Sequence, residues 1–485
     1  MKRSKRLWVL LGVLAAVCVV TAAVLQMEDR QEQIRESGEV VLAISPDSVD
    51  SLSWDYDSET LSFHKDEGWV YDDDEAFPVD DEKIGDLLGE FEEFGAAFII
   101  EEVEDYSQYG LDDPVCTIRL TAGEESWEIL LGDYSTMDSQ RYVSIGDGNV
   151  YLAVNDPLDE FDAALSDLIL NDQVPDLDGA TRIAFAGEED YEAERLEDGS
   201  AYSYCADDRY FVSRDGACLP LDTGKVETYL RSMTNMDLTD YVTYNATQEE
   251  LESYGLDSPE LTVTVDYSYK DEDGETASDT FTLSVSRDPE ELAAAQEAEA
   301  EAEAEAGEET EEDAAAGGSE PEEEITAYAR VGDSQIVYQI SSNAYMTLIS
   351  ASYDDLRHSE AFPGDFGDIT QVDITLDGAQ YTLTSQEDGD ERSWSYGEEA
   401  LEIEDFQAAL EALSAYSFTD EEPSQQEEIS LTLTLDNESF PQVSIQIYRY
   451  DGSYCLAVVD GEPFALVERS AAMDLVESVN AIVLG

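Results

Sequence analysis

The sequence predicts an α+β exterior made of three tandem modules, each with antiparallel strands packed by helices, behind one N-terminal transmembrane helix. Three observations carry that expectation. The phrase Tyr-Gly-Leu-Asp-x-Pro occurs at Tyr109 to Pro114 and again at Tyr254 to Pro259, each time ahead of strands with alternating apolar residues. Recurrence over such a distance is the mark of a repeated unit. Strand and helix patterns also fall in blocks rather than in strict alternation, which favours an antiparallel sheet over parallel βαβ units. Finally, Leu7 to Leu25 is an uncharged run with no Pro and a single Gly, preceded by Lys2, Arg3, Lys5 and Arg6.

At about 1.5 Å per helical residue that run covers the ~30 Å hydrocarbon core of a bilayer, and it is longer than a usual secretory apolar region. Positive-inside logic leaves residues 1–6 in the cytoplasm as a basic tail, 7–25 as the anchor and 26–45 as a juxtamembrane stalk outside. Cleavage after Thr21-Ala22-Ala23 is the rival reading, and the run's length favours the uncleaved anchor. Cys18 does not suit a lipoprotein, because Val17 stands where a small residue is needed and the cysteine lies mid-run.

The modules are expected at 46–175, 176–362 and 363–485. Each opens with paired strands separated by Asp/Gly turns: Ser51 to Trp54 and Thr60 to His64 before Trp69-Val70-Tyr71 in the first, and Gln371 to Leu376 and Tyr381 to Ser385 before Arg392 to Tyr396 in the third. A helix follows in every copy, over Asp80 to Phe94, Asp222 to Met233 and Glu404 to Leu413. Ile84, Leu87, Leu88 and Phe91 fall at i, i+3, i+4 and i+7, as do Val226, Tyr229, Leu230 and Met233. Such a stripe covers one face of its own sheet. Asp80 and Asp222 are the expected N-caps.

The repeated phrase reads as a helix terminator. Thr247 with Glu250 makes a capping-box pattern for a short helix through Tyr254, after which Gly255 takes the left-handed conformation, Leu256 makes the apolar contact and Pro259 stops the helix. Glu104 to Tyr109, followed by Gly110, Leu111, Asp112 and Pro114, reads the same way. Tyr109, Asp112, Tyr254 and Asp257 could also present a binding surface, but the structural role explains them more economically. A strand meander follows each phrase, and each module closes on a helix, near Leu158 to Leu170, Ala344 to Arg357 and Ala471 to Leu484. The second module carries a low-complexity acidic insertion at 288–324, read as a disordered or frayed excursion because its like charges are dense.

Four of the 23 Lys and Arg precede the apolar run, so the exterior sets 19 bases against 116 acids. Such a balance excludes the basic patch that nucleic acid or anionic lipid requires, and it reads as a solvated, solubilising surface. Neither Asp271-Glu272-Asp273-Gly274 nor Asp72-Asp73-Asp74-Glu75 has the alternating ligand spacing of an EF-hand. Cys116, Cys205, Cys218 and Cys455 are too sparse for a disulfide framework. Cys205 and Cys218 flank an expected hairpin, Tyr204 to Leu219, and are read as free thiols, with pairing the alternative. His64 and His358 each sit alone in the sequence. The chain has no Gly-x-Ser-x-Gly, His-Glu-x-x-His, Walker loop or Cys-x-x-Cys, so no catalytic, cofactor or metal site is expected and the protein is read as non-enzymatic.

With its basic-flanked anchor, its strand-strand-helix opening, the phrase Tyr109-Gly110-Leu111-Asp112-Asp113-Pro114 and the strand block after it, the chain resembles the uncharacterised family called domain of unknown function 4340. The third module departs from it by lacking the phrase. The resemblance implies a membrane-anchored extracytoplasmic protein found beside components of ABC-type transport systems, with ABC transporter subunits as partners, and it supplies no catalytic residues. The function expected is therefore that of an accessory or scaffold. The alternative is a cell-wall or carbohydrate-binding protein, suggested by Trp54, Trp69 and Trp394.

Overall fold

The structure, a computed structural model, describes residues 38–101, 103–214, 216–306, 325–388 and 391–484. The expected basic tail and anchor, the stalk up to residue 37, and residues 307–324 of the acidic insertion lie outside the described residues. Among the described residues no helix is long and apolar enough to cross a membrane. By its internal contacts the chain divides into two compact units, Met1–Asn171 and Asp172–Gly485.

The first unit holds one antiparallel sheet of nine strands: β1 (Glu39–Leu42), β2 (Ser51–Tyr56), β3 (Glu59–Lys65), β4 (Trp69–Tyr71), β5 (Phe94–Ile100), β6 (Cys116–Ala122), β7 (Glu125–Ser135), β8 (Gln140–Ser144) and β9 (Val150–Ala153). Their spatial order is β1-β5-β9-β8-β7-β6-β2-β3-β4. Two meanders thus meet at the β2–β6 pair, and the helix Asp81–Gly89 carries the chain from one edge to the other, where β5 lies beside β9.

The second unit contains two further sheets. One is built from β10 (Ala180–Ala186), β11 (Tyr191–Arg195), β12 (Tyr210–Arg214), β13 (Ala217–Pro220), β14 (Tyr241–Thr243), β15 (Leu261–Lys270), β16 (Thr276–Arg287), β17 (Ala327–Val331) and β18 (Val337–Ile340). The other is built from β19 (Ile369–Leu376), β20 (Ala379–Asp388), β21 (Glu391–Tyr396), β22 (Glu399–Leu401), β23 (Ala415–Phe418), β24 (Glu427–Leu435), β25 (Gln442–Arg449), β26 (Tyr454–Val459) and β27 (Glu462–Glu468). Their orders, β13-β12-β11-β10-β15-β16-β17-β18-β14 and β22-β21-β20-β19-β24-β25-β26-β27-β23, are the same order. The first sheet differs only in lacking the counterpart of β13 and adding β1 at the far edge, so Glu39–Leu42, expected in the stalk, belongs instead to the first module through its pairing with β5. The third module therefore keeps the architecture of the other two although it lacks their phrase.

Alternation explains which face is covered. Leu52 and Trp54 on β2, Ile183 and Phe185 on β10, and Val372 and Ile374 on β19 point into the core. Onto each such face packs the helix expected there, with Ile84, Leu87 and Leu88 buried in the first module, Val226, Tyr229, Leu230 and Met233 in the second, and Phe406, Ala409 and Leu410 in the third. Asp80 and Asp222 are N-caps: Asp80 Oδ1 accepts from the Glu82 amide at 3.0 Å and Asp222 Oδ1 from the Gly224 amide at 2.8 Å.

Several expected boundaries are corrected. The helix from Asp80 ends at Gly89 rather than Phe94, since the Phe91 and Glu92 amides turn back three residues to the Leu88 and Gly89 carbonyls, at 3.0 and 3.1 Å, and the chain passes into β5. The closing helix of the first module is only Leu158–Phe161, followed by a 3-10 turn at Leu165–Leu168 that starts where the Asp167 carboxylate accepts from the Ala164 amide. In the second module the closing helix is split into Ser342–Ile349 and Tyr353–Leu356, because Ser352 and Asp355 form a capping box that begins a new helix. Glu104 to Tyr109 is a 3-10 turn, Tyr106–Tyr109, capped by Asp105. The acidic insertion, expected as a frayed excursion, is helical over Pro289–Ala306. Its start is well specified: Asp288 accepts from the Glu290 and Glu291 amides, Pro289 follows, and the Thr326 amide donates to Glu291 at 2.9 Å.

The capping box at Thr247 is present, with the Glu250 amide donating to Thr247 Oγ1 at 3.3 Å and the Thr247 amide to Glu250 Oε2 at 2.8 Å. Thr247→Ala is expected to cost about 1 kcal/mol in urea denaturation, and an unchanged midpoint would show that this helix does not contribute to the module's stability.

Candidate functional site

The phrase resolves into local structure in both copies. Gly110 and Gly255 have φ of +68° and +70°, and a Cβ there would lie 2.6 Å from Asp133 Cγ and 2.7 Å from Ser286 Oγ, so both conformation and space demand glycine. Beyond each glycine the chain reaches back into the turn before it: the Leu256 amide donates to the Leu251 carbonyl at 2.8 Å and the Leu111 amide to the Tyr106 carbonyl at 3.2 Å. Leu111 and Leu256 are buried. Tyr109 packs on Tyr142 of β8 with ring centroids 4.9 Å apart, and Tyr254 on Tyr328 of β17 at 4.7 Å, so the tyrosine of the phrase meets a tyrosine on the corresponding strand in each copy. Asp112 and Asp257 are exposed, and Pro114 and Pro259 are half-buried just ahead of β6 and β15. The ten residues are thus brought together as two structural corners, with only the aspartates facing solvent.

A different group gathers chemistry-bearing side chains, and the sequence order hides it. The loop between β11 and β12 carries Ser203, Cys205 and Asp208, while His358 follows the helix Tyr353–Leu356 at the entrance to the third module. Asp208 is 2% exposed. Its Oδ2 accepts from the Ser203 hydroxyl at 2.6 Å and its Oδ1 lies 2.8 Å from His358 Nε2. On the other side of the ring, His358 Nδ1 is 3.9 Å from Asp222 Oδ2. Burial by itself lowers the affinity of His358 for a proton, but its hydrogen bond to Asp208 and the charges of Asp208, Asp222 and Glu360 outweigh that and leave its pKa raised. Burial pushes the Cys205 thiol up to about 11, and the neighbouring Asp208 charge adds to the effect. Ligand atoms of Cys205, Asp208 and His358 lie within 4.8 Å of one another, and so do those of Asp222, His358 and Glu360.

The same loop packs onto the third module. Tyr204 stacks on Phe362, centroids 5.5 Å apart and planes at 10°, and meets Phe440 edge-on at 5.9 Å. It contacts the core of the third sheet as a partly buried side chain. Neither histidine stands alone: His64, on β3, is 2.6 Å from Asp72. The hairpin read at Tyr204 to Leu219 is in fact β12–β13, with Cys218 opposite Ser213, so Cys205 lies outside it and both thiols are free.

Residues 69–209 and 215–433 match the family described as Domain of unknown function (DUF4340). The chain belongs to this family. The matched regions take in both copies of the phrase as well as Cys205, Asp208 and His358, and they begin in β4 and end in β24. No curated protein and no solved structure matches the chain.

Proposed function

We propose that this DUF4340 chain is a membrane-anchored, extracytoplasmic, non-enzymatic accessory or scaffold that works with an ABC-type transport system. The observation that carries the reading is the threefold use of one strand order. Repetition of a single scaffold multiplies faces and sheet edges available to partners, which is what assembly demands and a single reaction does not. The run at 7–25 would hold those faces beside membrane partners. An excess of 116 acids over 23 bases keeps such edges from pairing indiscriminately.

The glycan-binding alternative drew on Trp54, Trp69 and Trp394. Their exposures are 1%, 8% and 4%, so these rings belong to the module cores and offer no stacking platform to a sugar.

Mild crosslinking of the tagged full-length protein in its host, followed by detergent extraction and mass spectrometry, tests the proposal. The control replaces residues 1–25 with a cleavable signal peptide. Recovery of an ABC permease or ATPase that disappears in the control is the expected result. Recovery of wall material alone, or of nothing specific, would overturn the scaffold reading.

A further inference from the structure

We propose that Cys205, Asp208 and His358 form a binding site for a divalent transition-metal ion, Zn2+ foremost, which ties the β11–β12 loop of the second module to the start of the third.

The donor set is the first argument. A thiol, a carboxylate and an imidazole converge with their ligand atoms within 4.8 Å, and a sulfur-nitrogen-oxygen set suits zinc rather than calcium or magnesium, which take oxygen. Two ligand atoms on one tetrahedral zinc sit roughly 3–4 Å apart, a spacing that the separations in this set bracket. Asp208 Oδ1 and His358 Nε2, 2.8 Å apart in their hydrogen bond, part slightly to admit the ion.

The surroundings are the second argument. Metal-binding side chains are ordinarily oriented by outer partners. Here the Ser203 hydroxyl fixes Asp208 through Oδ2 at 2.6 Å, leaving Oδ1 turned toward the imidazole. Asp222 Oδ2 lies 3.9 Å from the far ring nitrogen, Nδ1, beyond hydrogen-bond reach but on the side that an outer carboxylate takes behind a metal-bound histidine. Asp222 is itself held, since its Oδ1 caps the helix Thr223–Thr234. The alternative set, Asp222 with His358 and Glu360, has no thiol and no fully buried member, and Asp222 is committed to its cap. The first set is therefore the site and the second supplies its outer shell.

Charge balance is the third. A buried carboxylate, a thiol and two further carboxylates gather around a single imidazole. A dication entering this group displaces the thiol proton and the proton between Nε2 and Oδ1 to solvent, and the resulting thiolate and carboxylate neutralise its two charges. A water takes the fourth position.

The test is Co2+ titration of the purified full-length protein in excess Ca2+, which occupies the exposed carboxylates. A thiolate-to-cobalt charge-transfer band that saturates at one equivalent and is abolished by added Zn2+ is expected. Cys205→Ser should remove the band and Cys218→Ser should leave it. Asp222→Asn, which retains a capping side chain, should weaken Zn2+ binding about 10–100-fold. Absence of the band in the unaltered protein would overturn the proposal, and so would its survival in Cys205→Ser. Loss of the band in Cys218→Ser would overturn it as well, whether or not Cys205→Ser folds.

Discussion

Asp156→Ala is expected to cost the first module about 3–5 kcal/mol. Its partner Arg141 lies on β8, and the two side chains are only 12% and 10% exposed. Arg141 Nε donates to Asp156 Oδ1 at 2.7 Å and Nη1 donates to the Gly132 carbonyl at 2.7 Å. Removing the carboxylate leaves the guanidinium with the Gly132 carbonyl and the face of the Tyr134 ring, 5.8 Å away, but without its ion-pair partner. It also removes the acceptor of the Leu158 amide, 3.0 Å away at the start of the closing helix. The pair itself need not be strongly stabilising, because both charges were taken from water to make it. Arg141→Met combined with Asp156→Leu should therefore recover most of the loss. Urea denaturation of the two variants is the check: a single-variant loss below about 1 kcal/mol would mean that water reaches the pair.

Trp54→Ala should be comparably damaging, at about 3–5 kcal/mol. The indole stands on β2, the strand at which the two meanders of the first sheet meet, stacked on Phe63 at 5.7 Å and perpendicular to Phe161 at 5.4 Å. Phe161 in turn packs on Phe91 at 5.7 Å, just beyond the helix Asp81–Gly89. Sheet, crossing helix and closing helix are thus joined through one aromatic chain, and the cavity left by alanine cannot be filled without moving all three. Hydrogen exchange at the β2 and β6 amides reads the effect directly, with Trp54→Phe expected to keep most of the protection. Undiminished protection in Trp54→Ala would sink the idea that this ring is central to the core.

The strands that could be read in the sequence are the long ones with one buried face. Leu261, Val263 and Val265 alternate with threonines and an aspartate, and the structure buries those three. The far-edge strands could not be read. Tyr241–Thr243 and Ala415–Phe418 are too short for a period of two to declare itself, and none of their residues is fully buried. Phe94–Ile100 is apolar throughout and merges with the helix pattern before it. Breaks in the closing helices were equally invisible, because they depend on single carboxylates, Asp167 and Asp355, bonding to nearby amides instead of lying along the helix.

The glycine corners were legible for the opposite reason, since everything that fixes Gly255 lies within a few residues of it. Asp208 and His358 are 150 residues apart. Only the packing of the β11–β12 loop against the inter-module segment brings them together, and no local pattern announces it. A Cys-x-x-Asp ahead of a lone histidine is too common a spacing to have singled them out.

The place where the two meanders join has a consequence for how the protein is born. Ser51 meets Thr121 across the first sheet, Gly179 meets Ser268 at the second and Thr370 meets Thr434 at the third, separations of 70, 89 and 64 residues. Hairpins on either side can close in roughly 1–10 μs, but contacts this distant must first overcome the entropy of a long loop. As each module emerges from synthesis, its first meander therefore waits with a bare central edge until the second has arrived. During that interval a neighbouring chain could take the vacant place, and the dense negative charge repels it while the proper half is still on its way.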